Sequence, residues 1–201
     1  EIAGLALGGE RREVTCMFVM TVPYTALPAT LRAQNMMSLL NQYLETATDA
    51  IHTQRGIIDK YMGNEIMVLF NTQLNPMVDH SLHAVLAALE MREGFLRLYQ
   101  RLGIDPHPHL YRIGMHTGVA TMGNVGSLNR RNFTAIGDSI NLSKRLQENA
   151  GAGQIFVSED TVAHMRENGG IPDGIHFFER GNTQVKGRKQ LTNIYEVFRH
   201  A

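Results

Sequence analysis

Cysteine is nearly absent from this sequence, and long apolar runs are missing altogether. Cys16 is the one cysteine among 201 residues, so a disulfide within the chain is excluded. It lies in an apolar stretch, which predicts a buried and unreactive thiol. No apolar run approaches the roughly 18 residues that a membrane span needs, and no signal peptide can be recognised. We therefore expect no membrane interaction by this segment itself.

Net charge is also missing. Nineteen basic and nineteen acidic residues cancel. This balance does not indicate binding to nucleic acid or to an anionic membrane surface. The length of 201 residues suits one α/β domain with a full core. Because the sequence starts at Glu1 rather than at Met, we expect it to be a segment of a longer protein.

The most informative stretch is Ile57–Phe70, with the sequence IIDKYMGNEIMVLF. It predicts two short apolar strands joined by a two-residue turn at Gly63 and Asn64, because both residue types tolerate the backbone of tight hairpin turns. A hairpin loop lies at a sheet edge, where side chains can meet a ligand. We therefore expect Lys60, just before the turn, and Asn64, within it, to decide what the protein binds.

Three longer elements flank this hairpin. The apolar run Val14–Val22 predicts a central strand covered on both faces. Apolar residues at helical spacing predict two long amphipathic helices. The first is Leu31–Thr53, closed by Gly56, and the second is Asp79–Leu102, which stops at Gly103.

Shorter elements fill the second half of the chain. They are strands Leu110–His116 and Gly118–Val125 around a turn at Thr117–Gly118, strand Arg131–Ile136, helix Asp138–Asn149, strand Gln154–Val157, a helix from Ser158 to Arg166, and strands His176–Arg180, Thr183–Lys186 and Asn193–Phe198, the last two joined by a turn at Gly187. The pattern predicts an α/β fold (an α+β sandwich), a mixed β-sheet covered by helices. Residues 1–10 are expected to be a flexible lead-in to one domain over 11–201.

Residue types alone indicate little chemistry. Four cations lie near glycines and would form a phosphate cradle if they converged, but composition favours four solvated surface charges. They are Lys60, Arg112, Arg145 and Lys186. Among nine histidines, only His80 and His83 form a helical pair, and no cysteine or carboxylate cluster completes a metal site with them. No Ser-His-Asp or Cys-His arrangement can be argued either.

Four segments, taken in order, carry a resemblance to a known family. They are VTCMFVMTVPYT with GIIDKYMGNEIMVLF, then YRIGMHTGVATMGNVG, FTAIGDSINLSKRLQ and QVKGRKQ. From about Arg12 to Phe198 the chain resembles the class III adenylyl/guanylyl cyclase catalytic domain. The resemblance implies a ferredoxin-like, palm-type fold and two chains packed head to tail, with ATP or GTP bound across their interface. It also implies a role in cyclic-nucleotide signalling, in the cytoplasm or in a cytoplasmic domain.

The resemblance also implies roles for single residues. Lys60 and Thr134 match the residues that read the purine edge, and a Lys with a Thr resembles the bacterial adenylyl cyclase subtype, implying ATP rather than GTP. Asn141 resembles the residue that orients the ribose. Arg145 resembles the arginine that stabilises charge at the α-phosphate. The cations that hold the β- and γ-phosphates are matched by Arg112 and Lys186.

The metal positions depart from the family pattern. The family holds two Mg²⁺ or Mn²⁺ ions with two aspartates, and the matching residues here are Met20 and Asn64. A thioether is a soft, neutral group that these hard cations disfavour, and an amide oxygen lacks the charge of a carboxylate. Since the metals activate the nucleophile and neutralise charge in the transition state, a homodimer of this chain is expected to be a very poor cyclase.

Nearby carboxylates are not expected to replace the missing aspartates. The candidates are Asp59, Glu65 and Asp138. Strand alternation predicts Glu65 on the face opposite Asn64, and Asp59 on the face opposite Lys60.

Three functions remain open at this point. The chain is a pseudo-cyclase that binds ATP and dimerises with little turnover, or it is the C2-like half of a heterodimeric adenylyl cyclase. The third alternative is a weakly active adenylyl cyclase that converts ATP to cAMP and pyrophosphate. A diguanylate cyclase is disfavoured, because GNE resembles that family's turn but FTAIGDSINLSKR and QVKG stay unexplained.

Overall fold

A computed structural model describes residues 9–21, 36–103, 105, 111–127, 130–184 and 191–200. The elements in chain order are β1 (Glu10–Met20), α1 (Met36–Thr53), β2 (Ile57–Met62), β3 (Glu65–Phe70), α2 (His80–Leu102), β4 (Arg112–Ser127), β5 (Arg130–Ile136), α3 (Asp138–Asn149), β6 (Ile155–Ser158), α4 (Glu159–Glu167), β7 (Ile175–Gln184) and β8 (Leu191–Arg199). No helix in these ranges is long and apolar enough to cross a membrane.

The described strands form one mixed sheet. Their order is β2-β3-β1-β4-β6-β8-β7, and β5 pairs with β4 outside this path. Most neighbours are antiparallel, whereas β4 and β6 run parallel. The central strand β1 lies between β3 and β4, as its continuous apolar run predicts.

Helices cover both faces of the sheet. Alternate residues of β1 point to opposite faces, so Met17 and Val19 join the core against α1, α2 and α4, while Cys16 and Phe18 pack with Ile140 of α3. The expected α+β sandwich with a helix-covered mixed sheet is confirmed.

The predicted turn at Thr117–Gly118 is wrong. Both residues lie inside the unbroken strand β4, which pairs with β1 from Glu10↔Met122 to Met20↔Arg112. Gly118 serves close packing instead, because a Cβ there would lie 2.6 Å from the Ser139 hydroxyl oxygen. The absence of a side chain lets α3 approach the strand.

Gly114, further back in β4, makes the same point more strongly. A Cβ at this position would lie 2.0 Å from the backbone nitrogen of Gln147 in α3. The helix therefore rests against the strand at backbone contact. This places the residues of α3 at a fixed height above the sheet.

Two further boundaries differ from the sequence prediction. β1 begins at Glu10, inside the expected lead-in. The strands predicted at His176–Arg180 and Thr183–Lys186 form the single strand β7 as far as Gln184, with a register shift between Glu179 and Gly181. Gly181, at this irregularity, has φ 124°, which other residues rarely adopt. The glycine in the sequence therefore predicted a break between two strands where the structure has one strand with a bulge.

The end of α1 also differs in detail. The left-handed residue is Arg55, at φ 62°, rather than the expected Gly56. The Gly56 amide donates to the Ile51 carbonyl at 2.9 Å, closing a Schellman-type end. Glycine is needed at 56 for space, since a Cβ would lie 2.8 Å from the Phe70 ring.

The other helix ends follow the sequence signals. Asp79 precedes α2 and Gly103 closes it with φ 65°. Ser158 caps α4 by accepting a hydrogen bond from the Thr161 amide. Predictions that fall on residues 22–35 and 185–190, including Lys186 and the Gly187 turn, lie outside the described residues.

Candidate functional site

The hairpin before the Gly63 turn brings a carboxylate, an ammonium and a hydroxyl together. The Lys60 Nζ lies 3.3 Å from Asp59 Oδ2. The Thr134 hydroxyl, from β5, donates to the same carboxylate oxygen at 2.8 Å. Thr134 and the Asp59 side chain are buried, whereas the Lys60 side chain is 43% exposed. Thus Lys60 and Thr134, paired by the family resemblance, meet through Asp59.

The expected orientation of Asp59 is wrong. Strand alternation predicted it on the face opposite Lys60, but the pairing of β2 with β3 shifts register between Ile58 and Lys60. A bulge leaves one extra residue and breaks the alternation locally. Asp59 is therefore the functional candidate that sequence reasoning dismissed. An aspartate directly before a lysine is the signal that pointed to it.

The hydrogen bond to Asp59 fixes what Thr134 can offer a ligand. A hydroxyl has one proton, and Thr134 donates it to the carboxylate. The oxygen lone pairs remain, so this hydroxyl acts as an acceptor. Lys60 supplies donors beside it.

Helix α3 presents the second set of candidate residues. It starts after Gly137, whose φ of 132° favours glycine. Asn141 and Arg145 are one helical turn apart and so share a face. Asn141 is exposed, and Arg145 donates to the backbone carbonyl of Gln184 at the end of β7.

Met20 and Arg112 face each other across β1 and β4. They are register partners, and the guanidinium donates through Nε and Nη2 to the Met20 sulfur at 3.2 and 3.1 Å. A carboxylate at position 20 would form an ion pair with this guanidinium. The thioether accepts only weak hydrogen bonds, so the positive charge of Arg112 is not neutralised by Met20.

Asn64 is tied to the end of β1. Its side-chain Nδ2 donates to the Thr21 carbonyl at 3.2 Å, and its own carbonyl accepts from the Thr21 amide and hydroxyl at 2.9 and 2.8 Å. The amide group therefore serves as a donor here. A carboxylate could not make the contact with the Thr21 carbonyl.

Two of the three nearby acidic groups, Glu65 and Asp59, have cationic partners. Glu65 binds the Lys144 ammonium through both carboxylate oxygens. The same ammonium lies 5.7 Å from the centre of the Phe18 ring. Asp59 binds Lys60, and Asp138 is exposed in the first turn of α3.

Cys16 is buried on the α3 side of the sheet, as predicted. Burial, with a smaller effect of the Asp59 charge, raises the pKa of the Cys16 thiol to about 12. The thiol is therefore protonated at neutral pH, which disfavours a nucleophilic role for Cys16.

The two groups of candidate residues lie at different ends of β4. Arg112, which contacts Met20, opens the strand. Thr134, which contacts Asp59, pairs with Gly123, eleven residues further along.

The sequence and the fold are both similar to those of nucleotide cyclase catalytic domains. The chain matches the model of the adenylate and guanylate cyclase catalytic domain over residues 9–197. The structure of the guanylyl cyclase Cya2 has 31% sequence identity and a TM-score of 0.79, covering 94% of this chain and 93% of that one. The adenylyl cyclase CyaB from P. aeruginosa has 28% identity and a TM-score of 0.79, covering 97% of this chain and 98% of that one.

A relative found by sequence is also a nucleotide cyclase. Adenylate cyclase 1 of Rhizobium meliloti (strain 1021) is 27% identical over 191 residues, which is 93% of this chain. The chain spans 28% of the length of that relative. The match over almost all of the described fold shows that the chain belongs to the adenylate and guanylate cyclase catalytic domain family, the class III nucleotide cyclases.

Proposed function

We propose that this domain is a pseudo-cyclase: it binds ATP, associates with a second cyclase domain and has little or no turnover as a homodimer. The observation that carries the proposal is a contrast within one chain. The base-reading residues are connected to each other, whereas the residues at the family's metal positions are engaged in contacts that disfavour a cation.

The contacts of Asp59 favour adenine over guanine. Adenine offers an amino donor next to the N1 acceptor, and guanine offers a carbonyl acceptor next to an N1–H donor. Thr134, held as an acceptor by Asp59, suits the amino group, and Lys60 suits the adenine N1. Family members of both base specificities resemble the chain, so this selectivity rests on the three residues.

Asn141 and Arg145 supply the ribose and α-phosphate contacts in this proposal. They lie one turn apart on α3, which rests against β4 at Gly114. A guanidinium in this position stabilises negative charge at a phosphoryl group. Arg112 and Lys186 complete the set as the cations for the β- and γ-phosphates.

The metal positions do not fit Mg²⁺ or Mn²⁺. Met20 offers only a thioether sulfur, which hard cations disfavour, and this sulfur accepts a hydrogen bond from the Arg112 guanidinium at 3.1 Å. The side-chain nitrogen of Asn64 donates to the Thr21 carbonyl. A divalent cation here would meet a positive charge instead of two negative ones. Positions 20 and 64 therefore do not supply ligands for metal-assisted catalysis.

Exposed apolar side chains on the hairpin and on the β4–β5 arm support association with a second cyclase domain. They are Tyr61, Met62, Val125 and Ile136. A second domain that packs against these strands would remove their apolar surface from water.

Calorimetry with ATP and GTP, each with and without Mg²⁺, tests the proposal. We expect ATP to bind more tightly than GTP, with little change on adding metal. A parallel assay for cyclic nucleotides under Mg²⁺ and Mn²⁺ should stay at the level of an Arg145→Ala variant. Absence of ATP binding would leave only a role as an interaction domain, and robust turnover would contradict the proposal.

The C2-like half of a heterodimeric adenylyl cyclase is the second candidate. The separation of the two residue groups along β4 favours it, since the base-reading group could complete a site whose metal aspartates come from a partner. Mixing the chain with a cyclase domain that has both aspartates but a Lys→Ala change at its own base-reading position tests this. Production of cAMP only in the mixture would support it, and no gain over either chain alone would exclude it.

A further inference from the structure

We propose that Glu13, His80 and His164 form a transition-metal site, suited to Zn²⁺, on the face of the sheet opposite α3. Glu13 comes from β1, His80 opens α2 and His164 lies in α4. The ligand atoms of the three residues all lie within 4.8 Å of one another. His80 Nε2 is 3.7 Å from a Glu13 carboxylate oxygen, and His164 Nε2 is 3.3 Å from the same oxygen.

A chain of hydrogen bonds through three threonines determines the tautomer of His80. Thr117 donates its hydroxyl proton to Thr161 at 3.2 Å, so it has none left for Thr15. Thr15 must therefore donate to Thr117, at 2.8 Å, and accept from His80 Nδ1, also at 2.8 Å. His80 then carries its proton on Nδ1 and a lone pair on Nε2, which faces Glu13.

A lone pair that faces a carboxylate is repelled unless a cation lies between them. His164 also has its Nδ1 held, by the Ser81 hydroxyl at 2.7 Å, and its Nε2 faces Glu13; this contact fits either tautomer of His164. Metal-binding histidines ordinarily have the second ring nitrogen held in this way, which orients the ring towards the ion.

The spacing fits a tetrahedral ion. With Zn–N and Zn–O bonds of about 2.0–2.1 Å, neighbouring tetrahedral ligand atoms are about 3.3 Å apart. The distances of 3.3 and 3.7 Å from Glu13 to the two histidines are close to this value, and all three ligand atoms lie within 4.8 Å of one another. The Glu13 side chain is 53% exposed and can adjust towards an ion. Two histidines with one carboxylate leave a fourth position for water, as in open zinc sites.

An adjacent cavity of about 490 Å³ provides room for that fourth ligand. Its lining includes the three proposed ligands together with Arg12 and Glu167. The guanidinium of Arg12 is directed to Asn71, to which it donates through Nε and Nη2.

Sequence reasoning paired His80 with His83 and found no complete site. His83 instead contacts Asp79 at 3.5 Å and Gln54 at 2.9 Å, outside the cluster. The neighbours of His80 in the cluster are Glu13, 67 positions earlier in the chain, and His164, 84 positions later. The fold brings these three residues together. The pattern of helical spacing has no signal for such a contact.

Binding of Co²⁺ and Zn²⁺ to the chelator-treated chain tests the proposal. We expect one equivalent of Co²⁺ with the visible absorption of a four-coordinate ion, displaced by Zn²⁺. His80→Gln, His164→Gln and Glu13→Gln should each weaken Zn²⁺ binding by at least tenfold, and His83→Gln should bind as the parent does. Glu13 is half-exposed, so Glu13→Gln keeps the test valid where a histidine variant fails to fold. Absence of stoichiometric Co²⁺ binding, or equal affinity of the folded Glu13→Gln variant, would overturn the proposal.

Discussion

The buried carboxylate of Asp59 accepts the Thr134 hydroxyl proton at 2.8 Å, although the two residues are 75 positions apart in the chain. Through this contact a side chain that touches no base in our proposal determines which hydrogen-bonding role its neighbour plays. In the proposed site, selectivity for the purine would thus depend on Asp59, which does not itself contact the base.

Replacing this carboxylate should weaken base discrimination. In Asp59→Ala the Thr134 hydroxyl is free to donate or accept, so ATP affinity should fall about 5- to 10-fold, as for one lost hydrogen bond, while GTP affinity stays the same or rises. Calorimetry with both nucleotides measures the ratio. Asp138→Ala, which removes an exposed carboxylate, is the matched control and should leave the ratio unchanged.

Restoring aspartates at the family's metal positions should restore turnover. In Met20→Asp with Asn64→Asp, two charges return beside Arg112 and the end of β1. We expect Mn²⁺-dependent cAMP production to rise by at least 10- to 100-fold above the parent baseline, because metal ligands are restored. A double variant that folds and binds ATP but produces no cAMP would show that the defect lies elsewhere.

The ion pair between Lys144 and Glu65 should contribute to the free energy of unfolding. In Lys144→Met the Glu65 carboxylate, whose side chain is 14% exposed, loses its ammonium partner. The free energy of unfolding should fall by about 1–3 kcal/mol, less than for a fully buried pair because Lys144 is 30% exposed. Urea denaturation measures this, and adding Glu65→Gln to Lys144→Met should recover part of the loss. Equal stability of parent and single variant would argue that the pair contributes nothing.

Cys16 should resist thiol reagents in the folded chain. Because burial raises its pKa to about 12, almost no thiolate exists at pH 8, and the group has no access to solvent. A colorimetric thiol reagent should react only after addition of denaturant. Rapid labelling of the native chain would mean that the strand β1 opens readily.

Much of the fold was predictable because the signals are local. The hairpin, the helices α2 and α3 and the apolar run of β1 follow from spacing and from end signals such as Gly103. The turn expected at Gly118 is wrong, because a glycine can be required either for its backbone freedom or for its lack of a side chain. The sequence does not distinguish these two reasons, and only the close packing of Ser139 against Gly118 in the structure does.

The candidate site was predictable in parts. Lys60 and Thr134 were identified together from the family resemblance, but their link through Asp59 depends on a bulge that shifts a single residue. The contact of Arg112 with Met20 required the pairing of β1 with β4, which no local pattern reveals.

The backbone contact at Gly114 has a consequence for regulation. Because α3 rests on β4 at Gly114 with no side chain between them, we expect the helix and strand to move together. The distance of Asn141 and Arg145 from the sheet is therefore not an adjustable quantity. If two cyclase domains associate as proposed, the orientation of one domain towards the other, rather than the height of α3 above its own sheet, is what can change.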